Sequence, residues 1–254
     1  MAKIQKIRAD QALLEQGLAD SRSKAQAIIL AGKVYLDTKK IEKAGQTIPK
    51  DAKLEVKGKQ HPWVGRGGIK LAHGLDCFEI SAKNKAVLDV GSSTGGFTDV
   101  ALQGGAKKVY AVDVGHGQLD WKLRNDPRVV VMERTNARYL DNVAITEPIE
   151  LIVCDASFIS LKTILPAPMS LAKKGAHLIA LIKPQFEVGK ESVGKKGVVR
   201  DPELHKQVVD DIKNWLDGRE NWQVLDTDTS PITGPEGNVE FLICAQFNGT
   251  KAHE

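Results

Sequence analysis

The side chains best placed to do chemistry are two lysines and two carboxylates set far apart along the chain: Lys70, Asp155, Lys183 and Glu240. Asp155 follows the apolar run Leu151–Cys154, within Cys154-Asp155-Ala156-Ser157-Phe158. Lys183 follows Leu178–Ile182, within Ile182-Lys183-Pro184-Gln185-Phe186-Glu187. Such runs read as buried strands, and the active sites of open α/β sheets lie at the carboxyl ends of strands. Glu240 begins the last run, after Gly234-Pro235-Glu236-Gly237-Asn238-Val239, and Lys70 precedes the first, in Gly67-Gly68-Ile69-Lys70-Leu71. A lysine acts as a base only when burial or a second cation lowers its proton affinity. Lys183 beside Lys70 would meet that condition, with Asp155 and Glu240 orienting the amines and limiting the cost of burying charge. The set suits removal of a proton from a poor acid, such as a hydroxyl, during an in-line displacement. It calls for no metal. Singly, each residue has a plainer reading as a surface lysine or a helix-capping carboxylate, and the argument for a site rests on all four together.

A ligand loop accompanies them. Ala86–Val90 runs into Gly91-Ser92-Ser93-Thr94-Gly95-Gly96-Phe97. A buried strand, a glycine turn and a helix together form the place where a nucleotide-like ligand meets backbone N–H groups. The spacing departs from G-x-G-x-x-G, which weakens a nicotinamide reading. Asp89, just before the turn, suits a positively charged amino group, and adenosylmethionine carries one. Asp113, ending the next strand, can accept hydrogen bonds from both ribose hydroxyls, and Asn136, after the third, can contact an adenine edge. The expected cofactor set is thus Asp89, Gly91, Ser92, Ser93, Gly95, Gly96, Phe97, Asp113 and Asn136, with S-adenosylmethionine as the ligand. A tight turn used only for packing is the alternative. With this donor, the lysine–carboxylate set reads as methyl transfer to a ribose hydroxyl.

These residues need a frame. Ala86–Val90, Val109–Val112, Val129–Met132, Leu151–Cys154 and Leu178–Ile182 are short, continuous and rich in valine, leucine and isoleucine, as strands buried on both faces are. A helix over Pro202–Leu216 and closing strands at Trp222–Asp226 and Glu240–Gln246 complete the pattern. The fold class expected is α/β, a Rossmann-like doubly wound sheet, mostly parallel with an antiparallel closing strand, plus a small α+β domain at the N-terminus. The expected boundaries are 1–59 for the small domain, 60–64 for a linker and 65–249 for the catalytic domain. In the linker, Gln60-His61-Pro62-Trp63-Val64, proline fixes the backbone and Trp63 could anchor one domain on the other.

The small domain holds the basic excess. Residues 1–64 carry 13 Lys/Arg against 7 Asp/Glu, whereas the other 190 carry 23 against 25, for a net charge of +4 overall. Such asymmetry fits a polyanionic partner, although a solvated lysine-rich surface is the plainer reading. Arg8–Gln16 reads as a helix stopped by Gly17, and Ser21–Ala31, capped by Asp20 or Ser21, as a second stopped by Gly32. Val34-Tyr35-Leu36 and Lys53-Leu54-Glu55-Val56 alternate like short strands. Arg22, Lys24 and Lys33 flank the second helix, where cations can meet phosphates.

Arg8-Ala9-Asp10-Gln11-Ala12-Leu13, Ser21-Arg22-Ser23-Lys24-Ala25-Gln26 and Ala31-Gly32-Lys33-Val34 resemble the small RNA-binding domain shared by a small-subunit ribosomal protein, several pseudouridine synthases and some tRNA synthetases. Nearly the whole chain resembles the TlyA, or hemolysin A-like, family, whose catalytic domain is of the FtsJ-like ribose methyltransferase type. The motifs that carry this are Val64-Gly65-Arg66-Gly67-Gly68-Ile69-Lys70-Leu71, Asp89–Phe97, Cys154–Leu161, Ile182–Glu187 and Gly234–Phe241. The resemblance puts the Lys-Asp-Lys-Glu set of such enzymes on Lys70, Asp155, Lys183 and Glu240. It implies 2′-O-methylation of ribosomal RNA, on cytidine, with ribosomal RNA or ribosomal subunits as partner and no obligate protein partner. RNA contacts are expected at Arg8, Arg22, Lys24, Lys33, Arg66 and Phe158. Phe158 would stack on a flipped base, or else lie in the core under its loop. The interdomain His61-Pro62-Trp63-Val64 departs from the Arg-Ala-Trp-Val form of some members, which puts any switching role of that segment in doubt.

Gly189–Arg200, rich in lysine and glycine, could clamp RNA over the site or be a solvated loop. Three scattered cysteines, Cys77, Cys154 and Cys244, have neither disulfide nor metal-ligand spacing and suit a reducing cytoplasm. No apolar run approaches the roughly 20 residues of a membrane span. The competing classes are a base or small-molecule methyltransferase, which has no need of two lysines, and a membrane-lytic protein, for which no convincing amphipathic segment is found. A catalytically silent RNA-binding protein is a third, and the intact set of four argues against it. The chain has no Asn-Pro-Pro-Tyr motif for exocyclic amine methylation.

Overall fold

The computed structural model describes residues 5–19, 21–57, 61–189, 192–194, 197–234 and 236–249. Asp20 as a cap, Gln60 of the expected linker, Pro235, and Lys190, Glu191, Lys195 and Lys196 of the basic loop lie outside the described residues. The chain divides into two compact units, residues 1–60 and 61–254.

In the smaller unit, β1 (Lys6–Arg8) leads directly into α1 (Ala9–Glu15), followed by α2 (Arg22–Leu30), β2 (Val34–Leu36), β3 (Lys39–Lys40), β4 (Thr47–Pro49) and β5 (Leu54–Val56). β1 pairs with β4, and β2 is flanked by β3 and β5, all antiparallel. Helical spacing brings Ala9, Ala12, Leu13, Ala25 and Ile29 to one apolar core with Val34, Ile41, Ile48 and Leu54. Gly17 and Gly32 end the helices in the left-handed region, at φ 67° and 69°, as the sequence predicts. Ser21 caps α2, accepting from Lys24 N at 3.2 Å.

The larger unit opens with α3 (Gly67–Cys77) and then alternates: β6 (Ala86–Val90), α4 (Gly96–Gln103), β7 (Lys108–Val112), α5 (Trp121–Arg124), β8 (Val129–Met132), a 3-10 turn at Ala137–Tyr139 and β9 (Ile149–Cys154). There follow α6 (Leu161–Ile164), α7 (Pro166–Ser170), β10 (Ala172–Ile182), α8 (Pro184–Glu187), α9 (Pro202–Asp217), β11 (Trp222–Thr229) and β12 (Phe241–Phe247). The seven strands lie in the order β11-β12-β10-β9-β6-β7-β8. β6 to β10 are parallel, and β12 runs antiparallel between β10 and β11. The sheet is mostly parallel with antiparallel closure, as expected. Three strands exceed their predicted spans by two residues or more: β9 begins at Ile149, β10 at Ala172, and β11 runs on to Thr229. Glu240 precedes its strand instead of beginning it.

Both faces of the sheet are covered. Leu88, Tyr110, Ile152, Ala180 and Ile243 point into one apolar layer, which Ile212 and Leu216 of α9 complete. Their neighbours Val87, Ala111, Val153, Ile179 and Leu242 point into the other, with Leu71 of α3 and Val100 of α4. This strict alternation on doubly buried strands explains why their sequences read as unbroken apolar runs. β11 breaks the rule. Its register on β12 shifts between Val224, opposite Ala245, and Asp226, opposite Cys244, so a bulge at Leu225 turns Asp226 and Asp228 onto the α3 face. Trp63 and Val64, expected in a linker, pack on this same α3-side layer within the larger unit. A Cβ on Gly68 would collide with the Trp63 ring. Among the described residues no helix is long and apolar enough to cross a membrane.

Candidate active site

Strand order reverses at β6: its chain neighbour β7 lies on one side and β9 on the other. The carboxyl ends of β6 and β9 therefore diverge into a crevice, the place where ligands bind in such sheets. The glycine turn fills its floor. Gly91, at φ 83°, cannot carry a side chain, because a Cβ there would stand 2.9 Å from Ala156 Cα. Gly91 N and Ser92 N both donate to Val112 O, at 2.9 and 3.1 Å, which ties the turn to β7. Gly95, at φ 96°, is the N-cap of α4, and the first N–H groups of that helix lack intrahelical partners.

Two adjoining cavities share Gly91, Ser93, Asp155, Ser157 and Phe158. One, of about 630 Å³, has Val114, Ala137 and Ile159 as apolar walls and Asp113 and Asn136 as polar ones. Asp113 Oδ2 accepts from Ser93 N at 2.8 Å and Oδ1 from Gly115 N at 2.7 Å, so its carboxylate is rigidly aimed. Asn136 Oδ1 caps the 3-10 turn, accepting from Arg138 N at 3.1 Å. The other cavity, of about 590 Å³, runs along Gly91–Phe97 to Lys70, Asp155, Lys183 and Glu240. Together they suit an elongated ligand with a nucleoside at one end.

All four chemically suggestive residues meet here. Lys70 Nζ lies 2.5 Å from Glu240 Oε2 and 3.8 Å from Asp155 Oδ2. Lys183 Nζ lies 2.6 Å from Asp155 Oδ1 as an ion pair outside hydrogen-bond geometry, and donates to Ser157 Oγ at 2.8 Å and Asp155 O at 3.2 Å. Asp155 thus bridges the lysines. Lys70, Lys183 and Glu240 are buried, and two ammonium groups balance two carboxylates, so burying the cluster leaves no net formal charge. Lys70 arrives on α3, Asp155 and Lys183 at the carboxyl ends of β9 and β10. Glu240 reaches the same edge because antiparallel β12 starts there.

Two of the expected cofactor residues line neither cavity: Gly95, the N-cap of α4, and Asp89. Asp89 is fully buried and accepts from Thr98 Oγ1 at 2.6 Å, while its Oδ1 has no partner. Burial pushes its carboxyl up to about 7, against the pull of Thr98. It lies near the end of β6 and ties that strand to Thr98 of α4. Ser92, Ser93, Gly96 and Phe97 do line the cavity that reaches Lys70 and Lys183.

Phe158 is 89% exposed, at φ 64°, with its ring centroid 5.1 Å from that of Phe186; it is no core aromatic. Arg66 is exposed on the cavity rim and donates to Thr233 O. Arg8 and Arg22 are less available than the sequence suggests. Both pair with Asp10, at 2.8 and 3.2 Å, and Asp10 is fully buried at the start of α1. The Arg8 guanidinium, with Gln26 and Arg22, holds this carboxyl far below its ordinary range even against burial. Lys33 is exposed on the small unit, and Lys24 sits in the first turn of α2. Sequence reading assigned nothing to Ser157, Gln185, Phe186 or Asn238, which also line the cavity. Gln185 Oε1 is buried there without a partner, and Asn238 ties two loops by accepting from Val199 N at 3.0 Å and donating to Gly197 O at 2.9 Å. Each stood inside a quoted motif, and that adjacency was the available signal.

A parallel sheet closed by a reversed strand slipped between its last two, with a glycine turn at the switch point, is the architecture of Rossmann-like methyltransferases, and the larger unit is of that class. The model of the FtsJ-like methyltransferase family matches residues 63–247, and that of the S4 domain residues 7–53. YqxC of Bacillus subtilis (strain 168) is 49% identical over 96% of this chain and 87% of that one. The 16S/23S rRNA (cytidine-2'-O)-methyltransferase TlyA of Mycobacterium tuberculosis is 46% identical over 93% and 88%. A solved structure from Streptococcus thermophilus, carried under a provisional hemolysin name, superposes with a TM-score of 0.75 at 40% identity over 98% and 90% of the two chains. The chain belongs to the FtsJ-like methyltransferase family.

Proposed function

We propose that the chain transfers a methyl group from S-adenosylmethionine to a ribose 2′-hydroxyl of ribosomal RNA, on cytidine, in the cytoplasm. The observation that carries this reading is the closed Lys70–Glu240–Asp155–Lys183 cluster on the wall of a cavity continuous with the glycine turn. The choice of nucleotide and RNA rests on the activity in the name of the 46% identical relative.

The residues present fit the donor. Asp113 would take the ribose diol, Val114, Ala137 and Ile159 the adenine, and Asn136 its polar edge. The methionine end would follow Gly91–Phe97, where the unpartnered Gln185 Oε1 offers an acceptor for an ammonium. Adenosylmethionine, when bound, supplies a methyl on a positively charged sulfur, and transfer leaves a neutral thioether. Lys183, once its ammonium has released a proton to solvent, would take the hydroxyl proton as the methyl is transferred. Lys183 gives up one contact to meet the substrate. Ser157 Oγ is the natural one, because a serine hydroxyl can turn and donate to a neutral amine. Lys70, locked by Glu240 and Asp155, keeps Asp155 aimed at Lys183 and adds positive charge where the oxygen becomes anionic. Phe158 offers an exposed ring for stacking a splayed base, and Arg66, Lys24 and Lys33 supply phosphate contacts. Arg8 and Arg22 contribute to RNA only with the faces that Asp10 leaves open. The smaller unit, residues 1–59 in this reading, is the RNA-binding domain, and 65–249 the catalytic one.

The test is methyl transfer from labelled adenosylmethionine to unmodified ribosomal subunits, with the product mapped by 2′-O-methyl-sensitive reverse transcription. Lys183→Ala is expected to abolish transfer and keep cofactor binding. Label on a base would sink the ribose chemistry, and wild-type turnover in the variant would remove Lys183 as base.

A further inference from the structure

Away from both cavities, α3 and β11 bring together three side chains of metal-ligating type. His73 and Cys77 are one turn apart on the same face of α3, and the bulge in β11 presents Asp228 to that face. His73 Nε2 lies 2.6 Å from Asp228 Oδ2, Cys77 Sγ 3.4 Å from the same oxygen, and one donor atom from each residue falls within 4.8 Å of the others. We propose that His73, Cys77 and Asp228 form a binding site for a divalent transition metal, zinc by donor class, separate from the methyl-transfer site.

The donor set decides the class. Imidazole, thiolate and carboxylate together suit a borderline-soft ion and fit neither magnesium nor calcium, which take oxygen alone. In a tetrahedral zinc site, bonds of about 2.0–2.3 Å put nitrogen and oxygen about 3.4 Å apart and sulfur and oxygen about 3.6 Å apart. The Cys77–Asp228 spacing already lies close to that value. The His73–Asp228 pair, now a hydrogen bond, must open by about 0.8 Å as the ion replaces the shared proton. His73 and Asp228 are half-buried and Cys77 is exposed, so the ion can enter from solvent and water can take the fourth position. The field is favourable, since Asp226 and Asp76 add their negative charge to that of Asp228 around the thiol. Binding would expel the thiol proton to solvent and clamp α3 to the sheet edge.

The experiment is a titration of the reduced, untagged, metal-free full chain with cobalt(II), then zinc. The expected result is saturable one-to-one binding with a thiolate-to-cobalt charge-transfer band, visible d–d absorption of four-coordinate intensity, and displacement by zinc. Cys77→Ser is expected to lose the charge-transfer band. His73→Ala and Asp228→Asn are each expected to weaken cobalt binding by about tenfold or more. Circular dichroism matching the wild type would exclude misfolding of the variants. Absence of saturable binding, binding without the charge-transfer band, or a band that survives in Cys77→Ser would each overturn the site.

Discussion

A carboxyl group with no route to solvent and one oxygen without a partner is costly to ionise, and Asp89 is such a group. Its folded-state value of about 7 stands well above the ordinary 3.8. Between those values the folded chain holds a proton that the unfolded chain has released. Stability therefore falls as pH rises through that window, by about 1.4 kcal/mol per pH unit at its steepest, and levels off above it. Asp89→Asn keeps an acceptor for Thr98 and removes the titration. Urea unfolding at about pH 5 and about pH 8 checks this: relative to wild type, the variant gains stability at the higher pH. Equal slopes would mean that Asp89 does not titrate in the window. The sequence made the position of Asp89 legible, one residue before the end of a buried strand, but not its isolation. A carboxylate beside a glycine turn reads as a ligand contact, and the sequence leaves no trace of the burial that ties it to Thr98. Asp10 is a second carboxylate whose burial the sequence does not reveal. In a first helical turn it looks like a favourable surface charge, and only the fold reveals that it holds Arg8 and Arg22 from within.

At the scale of elements, the turn between β6 and α4 carries the sharpest constraint. Gly91→Ala combines a left-handed backbone with a methyl group driven into the Ala156 backbone. The expected loss is about 3 kcal/mol of stability, together with adenosylmethionine binding. Gly117, also left-handed at φ 69° but with open space around it, is the control, and its alanine variant loses about 1 kcal/mol. Thermal melts and ligand titration of the two variants separate crowding from backbone strain. The parallel strands were readable because burial on both faces leaves continuous apolar runs. The first half of β10 was not, since Lys173-Lys174-Gly175 carries the strand into solvent with polar residues. β11 past Asp226 was hidden for a related reason: a bulge leaves no periodic trace, and it sets acidic side chains where alternation would put apolar ones. The third member of the His73–Cys77–Asp228 cluster was lost with it, 151 positions from Cys77.

Across the whole molecule, charge is divided between a basic small unit and a near-neutral large one. If the small unit grips RNA through phosphates, removing one such contact weakens binding to every sequence alike. Lys33→Ala, at an exposed side chain, is expected to lower the slope of log affinity against log salt by about one. An unchanged slope would take Lys33 out of the interface. The large unit assembles its chemistry from distant segments, since Lys70 and Glu240 are 170 positions apart and meet only when β12 has entered between β10 and β11. A chain whose parallel strands had paired but whose reversed strand was still outside would have the ligand crevice and Lys183, yet no closed cluster. Methyl transfer is therefore a reporter of finished folding: activity and complete insertion of β12 should appear together in refolding, after most of the secondary structure is in place.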